Sequence, residues 1–241
     1  WQSILLQTGH AGLDGRCWSQ PDHVMPDLPA AIDFVLEGYD VVRRSTVAHA
    51  DSIDAGDLVL IGGRSRSGKS TFAHCLRDEL LGRGRRVVLL SADRWLLDET
   101  ARSPGVLGRY DLSALRSLVV ACTRADGRPL SLELSAYDRK RRRRVPGVRT
   151  LSVQPGDVVI LEGTIALALA DAAEGPIHEL FVECDERLRR KRVMREYLAR
   201  GESFERAEEI YLERQEDEVP VIDDTAAARE ATKINLESVR A

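Results

Sequence analysis

One stretch of the chain decides the fold: Gly63-Arg64-Ser65-Arg66-Ser67-Gly68-Lys69-Ser70, followed by Thr71. This stretch matches the G-x-x-x-x-G-K-[ST] pattern of a phosphate-binding loop at every position. Its glycines let the backbone curl so that successive N–H groups converge on phosphate oxygens. We expect Lys69 to reach the β- and γ-phosphates of a nucleotide and the Ser70 hydroxyl to bind Mg²⁺. All nine residues are thus predicted to form the nucleotide site.

The sequence on both sides of this loop has the pattern that the motif requires. An apolar run at 58–61 predicts a buried strand, and residues 72–81 carry apolar side chains at helical spacing. Further apolar runs at 87–90, 158–161 and 179–183 alternate with predicted helices. This alternation predicts an α/β fold, a doubly wound parallel sheet flanked by helices. A glycine-rich turn with a chance lysine is the alternative, and it does not explain the two matching flanks.

Composition limits the class of protein. With 241 residues, 43% hydrophobic and 31% charged, the chain is expected to form one large soluble α/β domain with an appendage. No apolar stretch approaches the roughly 20 residues of a membrane span. The four cysteines form no C-x-x-C pair, which argues against a zinc site or a disulfide scaffold and favours a reducing cytoplasm. The net charge of −4 gives no general attraction to nucleic acid.

Two acidic residues follow predicted strands. Asp93 comes just after the run at 87–90, and Glu162 directly follows the run at 158–161. Residues beyond the carboxyl ends of parallel strands face the ligand crevice of an open α/β sheet. Asp93 is therefore predicted to act as a base or a metal-linked carboxylate, the alternative being a helix N-cap. Glu162 occupies the place where phosphoryl-transfer sites hold Mg²⁺.

Two basic segments have two interpretations each. Residues 139–144 are an unbroken basic run, which is either a solvent-exposed loop or a segment that binds an anionic acceptor. The predicted helix Glu186–Ala199 is either an exposed, salt-bridged helix or a lid that closes over phosphates. Its cations are Arg187, Arg189, Arg190, Lys191, Arg192 and Arg195.

The motifs resemble those of the uridine kinase and phosphoribulokinase branch of P-loop kinases. The matching pieces are G-G-R-S-R-S-G-K-S-T, L-S-A-D-R-W, Y-D-L-S-A-L, Y-D-R-K-R-R-R-R, D-V-V-I-L-E-G and F-V-E-C-D-E-R-L-R-R-K-R-V-M-R-E-Y-L-A-R-G, in the family's order. The resemblance implies ATP and Mg²⁺, with Asp93 deprotonating the acceptor hydroxyl and Glu162 supporting the metal. It makes Tyr137 a substrate-side residue. Its nucleotide lid consists of Arg187, Lys191 and Arg192, and Arg192 joins Lys69 in neutralising the migrating phosphoryl group.

The sequence departs from uridine kinases where those enzymes bind the nucleoside. Residues 104–108 replace the family's F-D-H-P-D, whose first aspartate holds the ribose. After the Y-D pair, Arg139 and Arg142 stand where those enzymes have a Phe and a His. We therefore predict that Arg139, Arg142 and Arg144 bind the acceptor, and that the acceptor is an anionic small molecule such as a sugar phosphate.

The N-terminal stretch has a separate resemblance. The pieces I-L-L-Q-T-G-H-A-G, P-D-H-V and D-L-P-A-A-I-D-F-V-L resemble the C-terminal end of haloacid-dehalogenase-type sugar-phosphate phosphatases. The residue pattern predicts a short strand over 3–9 that runs into a glycine turn at Gly9 to Gly15, loops at 21–24 and 26–28, a helix over 28–36 and a strand starting at Val41-Val42. The resemblance implies a phosphatase-like fragment at 1–37, a linker at 38–56 and a kinase domain at 57–241. An upstream phosphatase domain is thereby implied, although the D-x-D nucleophile motif is absent here. The alternative is an ordinary strand and helix that pack on the kinase core.

The sequence as a whole predicts a kinase that transfers the γ-phosphoryl group of ATP to a small-molecule hydroxyl. A phosphatase joined to a P-loop kinase is also the arrangement of polynucleotide 5′-hydroxyl kinases, but the acidic pI near 5.8 disfavours a nucleic acid substrate. A uridine-type nucleoside kinase is the next alternative. A nucleotide-dependent regulatory ATPase is the last, and Asp93 would be superfluous in it.

Overall fold

The computed structural model describes residues 4–8, 23–124, 128–138 and 141–236. Within these ranges, none of the helices combines the length and apolar composition that crossing a membrane requires. The helices and strands are β1 (Ile4–Leu6), β2 (His23–Met25), α1 (Leu28–Ala50), β3 (Leu58–Gly62), α2 (Lys69–Gly82), β4 (Val87–Ser91), α3 (Leu112–Thr123), β5 (Leu130–Asp138), β6 (Arg143–Val153), β7 (Val158–Glu162), β8 (Ile177–Glu183), α4 (Glu186–Ala199), α5 (Phe204–Asp217), α6 (Val219–Ala228) and β9 (Thr232–Asn235).

The central sheet contains five parallel strands in the order β4-β7-β3-β8-β9. The four predicted apolar runs lie in β3, β4, β7 and β8, so the predicted α/β fold with a parallel sheet is confirmed. All side chains of β3 and β7 are buried, because helices cover both faces of the sheet. The phosphate-binding loop leaves the carboxyl end of β3, between β7 and β8.

The sheet separates two apolar cores. On one face, Val59 and Ile160 pack with Phe72 and Leu76 of α2. On the other face, Leu60 belongs to the larger core, which also contains residues of neighbouring strands, α3, α6 and the β5–β6 hairpin. Adjacent residues of one strand thus enter different cores, as the two-residue period of a strand dictates. Both cores meet the strands that carry the candidate site.

Helix α1 differs from its prediction. The sequence predicted a helix ending at Leu36 and a strand starting at Val41-Val42, whereas the structure has a single helix, Leu28–Ala50. Asp27 caps it by accepting a hydrogen bond from the Ala30 N–H at 2.9 Å. Its C-terminal half packs on α2, with Val42 against the core and Ala50 within it. This packing outweighs the low helix propensity of Gly38 and the two valines. The helix therefore crosses the predicted start of the linker, and the division into domains remains a prediction.

The N-terminal strands form a separate small sheet. Strands β1 and β2 pair in parallel, with Ile4 opposite His23 and Leu6 opposite Met25. The sequence predicted the strand at β1 but predicted a loop at residues 23–24, where the structure has β2. The turn predicted at Gly9 to Gly15 lies outside the described residues. The resemblance of residues 1–37 to a phosphatase fragment stays a prediction.

The hairpin β5–β6 lies beside the main sheet. Its strands are antiparallel, with a register shift between Leu134 and Ala136. Arg94, in the turn that follows β4, donates a hydrogen bond to the Ser135 carbonyl at 3.0 Å. This hydrogen bond ties β5 of the hairpin to the turn that contains Asp93.

Two isoleucines test whether the chain around the end of α1 belongs to the core. Ile53, just after α1, is 1% exposed, whereas Ile32 in the N-terminal half of the helix is 47% exposed. We expect Ile53→Ala to lower the free energy of unfolding by about 2–5 kcal/mol, because it leaves a cavity in the core. The matched control Ile32→Ala should change it by less than about 1 kcal/mol. Urea denaturation measures both, and equal effects would contradict this packing.

Candidate active site

The phosphate-binding loop connects β3 to α2 in a conformation that requires its glycines. Gly63 and Gly68 have φ angles of 141° and 109°, and α2 begins at Lys69 with Gly68 as its N-cap. A Cβ on Gly63 would lie 2.5 Å from the Val182 carbonyl oxygen and 3.0 Å from Ser67 Oγ. The loop therefore packs directly on the backbone of β8. The strand, loop and helix of the sequence prediction are all present.

The loop has the features of a phosphate site. Ser67 is 1% exposed, and its Oγ has no hydrogen-bond partner among the described residues. A buried hydroxyl of this kind normally has a partner. The first turn of α2 presents its N–H groups at the same place, where anions bind favourably. A nucleotide phosphate would give both kinds of donor an acceptor, so these residues fit such a group.

Lys69 brings a positive charge to the inside of the loop. Its side chain is buried, and Nζ donates a hydrogen bond to the Arg64 carbonyl at 2.9 Å. Burial lowers the pKa of Lys69, while the negative charges of Glu162 and Asp93 oppose that shift. The predicted lysine and both predicted carboxylates therefore lie within electrostatic reach of one another.

Ser70 and Glu162, the two residues that the sequence suggested for Mg²⁺, are in contact. The Ser70 hydroxyl donates to Glu162 Oε2 at 3.2 Å, and Glu162 is buried. The described residues include no cluster of three acidic, His or Cys side chains that could hold a metal unaided. Mg²⁺ usually takes one or two protein ligands together with substrate phosphates. One hydroxyl and one carboxylate beside the phosphate loop fit Mg²⁺ on those terms.

Asp93 lies in the short turn Ala92–Trp95 directly after β4. Ser91 occupies the N-cap position of this turn, so the capping alternative for Asp93 is not what the structure has. The buried Tyr110 donates a long hydrogen bond to Asp93 Oδ1 at 3.5 Å. Burial, and then the charge of Asp93, raise the pKa of Tyr110, which keeps the phenol protonated. Tyr110 is a neighbour that the sequence reasoning missed.

Helix α4 contacts the phosphate loop through residues that were only partly predicted. Arg192 donates to the Arg66 carbonyl at 3.1 Å, whereas the predicted Arg187 and Lys191 are exposed. The fully buried cation is Arg189, which donates to Glu186 and to the Ser65 carbonyl at 3.4 Å. Its position four residues before the apolar Val193 was the available signal that it points inward.

Other arginines near the loop are held by acidic side chains. The Arg64 guanidinium donates to Asp223 and, at 3.0 Å, to Glu186. Arg66 pairs with Glu196 of α4. The side chains of these two predicted nucleotide-binding residues thus link the loop to α4 and α6, and their backbone is the part that shapes the loop.

The predicted acceptor residues form contacts of their own. Arg142 pairs with Glu99, and Arg144 donates to Ser135 Oγ at 2.8 Å while its Nη1 lies 3.6 Å from Asp111 Oδ2. Tyr137 Oη accepts a hydrogen bond from Arg102, a residue that the sequence reasoning did not select. Arg139 lies outside the described residues. Of the other three predicted residues, Tyr137 and Arg144 lie opposite each other in the β5–β6 pairing, and the charge of Arg142 acts on Tyr137.

Comparison with solved structures identifies the fold. The chain is similar to a candidate fructose transport system kinase from Silicibacter sp. TM1040, with a TM-score of 0.59 and 18% identity over 80% of this chain and 96% of that one. A candidate P-loop kinase with a circular permutation from Saccharomyces cerevisiae has a TM-score of 0.57 and 12% identity, over 82% of this chain and 97% of that one. A candidate uridine kinase from Bacillus stearothermophilus has a TM-score of 0.50 and 18% identity, over 80% of this chain and 98% of that one. No protein-family model and no curated protein matches the sequence.

A glycine substitution tests the geometry of the loop. We expect Gly63→Ala to weaken ATP binding by about tenfold or more, because its Cβ would meet the Val182 carbonyl and the residue needs a φ of 141°. The control is Gly82→Ala at the end of α2, where a Cβ meets nothing within 4 Å. Isothermal titration calorimetry with ATP measures both variants, and an unchanged affinity in Gly63→Ala would contradict the loop as the phosphate site.

The strand order, the phosphate loop and these structural likenesses agree: the chain has the α/β fold of P-loop kinases.

Proposed function

We propose that the protein is an ATP-dependent kinase that transfers the γ-phosphoryl group to a hydroxyl of a small molecule. One observation carries the proposal: Lys69, Glu162 and Asp93 gather at the carboxyl ends of the neighbouring strands β3, β7 and β4. A phosphate site, a metal-side carboxylate and a base are the groups that phosphoryl transfer requires. Structural likeness to a candidate fructose transport system kinase and a candidate uridine kinase supports a small-molecule acceptor.

Each group has one task in this reaction. The backbone of residues 63–71 positions the triphosphate, and Lys69 with Arg192 offsets the charge on the migrating group. Asp93 orients the acceptor hydroxyl and takes its proton. Ser70 and Glu162 would hold Mg²⁺, which neutralises charge on the phosphates when bound. Positioning and electrostatics carry most of such catalysis.

The acceptor is proposed to be anionic, a sugar acid or a sugar phosphate. The Arg142–Glu99 pair has side chains that are 52% and 54% exposed, so the pair stabilises the fold little. An incoming phosphate can therefore replace Glu99 at low cost and accept charge-assisted hydrogen bonds from Arg142. Arg144 and Tyr137 are proposed to bind the acceptor together with Arg142. Arg139 is included in this proposed site from the sequence alone. A reducing cytoplasm is the proposed compartment, since Cys75, Cys122 and Cys184 are free.

A polynucleotide 5′-hydroxyl kinase is the second candidate, favoured only by the basic run of the hairpin. A phosphatase domain upstream of residues 1–37 would belong with it. A nucleoside kinase would phosphorylate uncharged uridine, and a regulatory ATPase would consume ATP without an acceptor. A panel of sugars, sugar phosphates, nucleosides and 5′-hydroxyl oligonucleotides distinguishes these candidate functions. The compound that raises ATP consumption identifies the class of acceptor.

The same panel with two variants tests the chemistry. Asp93→Asn keeps the shape and removes the base, so we expect turnover to fall by roughly 10²-fold or more while the ATP affinity stays within a few-fold. Lys69→Ala serves as the inactive reference because it removes the buried charge at the phosphates. Loss of ATP binding in Asp93→Asn, with persistent turnover of bound ATP, would make Asp93 a metal or structural residue instead.

A third variant tests the acceptor charge. We expect Arg142→Ala to raise the acceptor KM by about tenfold and to leave the ATP KM nearly unchanged, because the charge-assisted contacts are on the acceptor side. The matched control is Arg149→Ala, farther along the same strand β6. Steady-state kinetics at two salt concentrations measure the effect, and added salt should weaken acceptor binding. Good turnover of uncharged uridine in Arg142→Ala would refute an anionic acceptor.

A further inference from the structure

One buried carboxylate is connected to both parts of the candidate site, the phosphate loop and the turn that contains Asp93. Glu218, between α5 and α6, is 4% exposed. Its Oε1 accepts a hydrogen bond from Arg109 Nη1 at 2.6 Å and lies 3.7 Å from Arg214 Nε. A buried carboxylate is stable only when it is paired, and these two guanidinium groups approach it from different parts of the chain.

Arg214 connects Glu218 to the phosphate loop. It donates a hydrogen bond to Ser65 Oγ in the loop and another, at 2.8 Å, to Tyr197 Oη of α4. Burial acts to lower the pKa of Arg214, but the charge of Glu218 together with the contributions of Tyr197 and Tyr110 raises it, so the guanidinium stays charged. Without Glu218, this buried cation would have no carboxylate at ion-pair distance among the described residues.

Arg109 connects Glu218 to the turn that holds Asp93. The Leu97 N–H donates to the Arg109 carbonyl and the Asp111 N–H donates to the Trp95 carbonyl, both at 2.9 Å. Residues 109–111 are thus bound to the chain just after Asp93, and Tyr110 between them reaches Asp93 itself. Arg109 thus provides a continuous set of contacts from Glu218 to the Asp93 turn.

We propose that Glu218 is a positioning residue that couples the phosphate loop to the Asp93 turn, so that nucleotide binding orders the acceptor side. This rests on the proposed function, since it assigns the loop to nucleotide and the turn to acceptor. Phosphates at the loop draw Arg214 towards them, and Glu218 carries that shift to Arg109. The link is a salt-bridge chain of three residues, Arg214, Glu218 and Arg109, with Asp217 as a side branch on Arg109.

Trp95 reports on this coupling without any acceptor. It is buried in the Asp93 turn, and the other two tryptophans, Trp1 and Trp18, can be replaced by Phe. In that background, ATP should change the emission of Trp95, and Glu218→Gln should reduce the change to less than about a third. Because Gln keeps the shape but loses the charge that aligns the two guanidinium groups, ATP affinity by calorimetry should stay within about threefold.

Asp217→Asn is the matched control. Asp217 pairs with Arg109 but has no ion pair with Arg214 among the described contacts, and its side chain is 31% exposed. We expect this variant to keep the Trp95 response. Arg109→Met, which breaks the chain on the acceptor side only, should lose the response as Glu218→Gln does, and it keeps the test valid if Glu218→Gln fails to fold.

With an acceptor in hand, kinetics give a second readout. Coupled sites commonly change each other's affinity by about fivefold or more. The ratio of the acceptor KM at low and at saturating ATP should fall to within about twofold of unity in Glu218→Gln. ATP binding with no Trp95 response in the parent protein, or an equal response in Glu218→Gln, overturns the coupling alone. Absence of ATP binding by calorimetry overturns the proposed function as well.

Discussion

The parallel register of three strands is the constraint on which the site depends. Ile61 of β3 and Ser91 of β4 both pair with Glu162 of β7, so the three strands end at one level. The phosphate loop, Glu162 and the turn with Asp93 therefore start from a common edge of the sheet. A shift of one residue in any of these pairings would turn each following side chain to the opposite face. The side chains of β3 and β7 pack closely in both cores, and this shape-specific packing holds the register against such shifts.

The features that the sequence predicted are those that neighbouring residues determine. The phosphate loop, its flanking strand and helix, and the acidic residues after β4 and β7 all follow from patterns of a few residues. Helix α1 was misjudged because Gly38 and the valines are local signals of a break, whereas packing on α2 by residues such as Ala50 decides the outcome. Packing partners so distant in the chain cannot be derived from periodicity.

The charges around the loop were the least predictable part. Which arginine of α4 is buried depends on Glu186, Ser65 and Tyr211, and only the first of these is close to Arg189 in sequence. Several cations lie near one loop, and each buried one is stabilised by a carboxylate or a carbonyl oxygen. Such pairs contribute little net stability, because desolvation offsets their attraction. Their value lies in holding positive charge in fixed positions where negative charge is to be stabilised.

The order of strands in the sheet has a consequence for how the chain is made. Strand β3 lies between β7 and β8, which the ribosome synthesises long after it. A Cβ on Gly68 in the phosphate loop would meet Leu236, at the end of β9, at 3.2 Å. The loop thus completes its surroundings only when nearly the whole described chain has emerged. Strand β3 has neither neighbour until β7 has emerged, so the nascent chain exposes an apolar strand while about a hundred further residues are made, and it gains from chaperone protection.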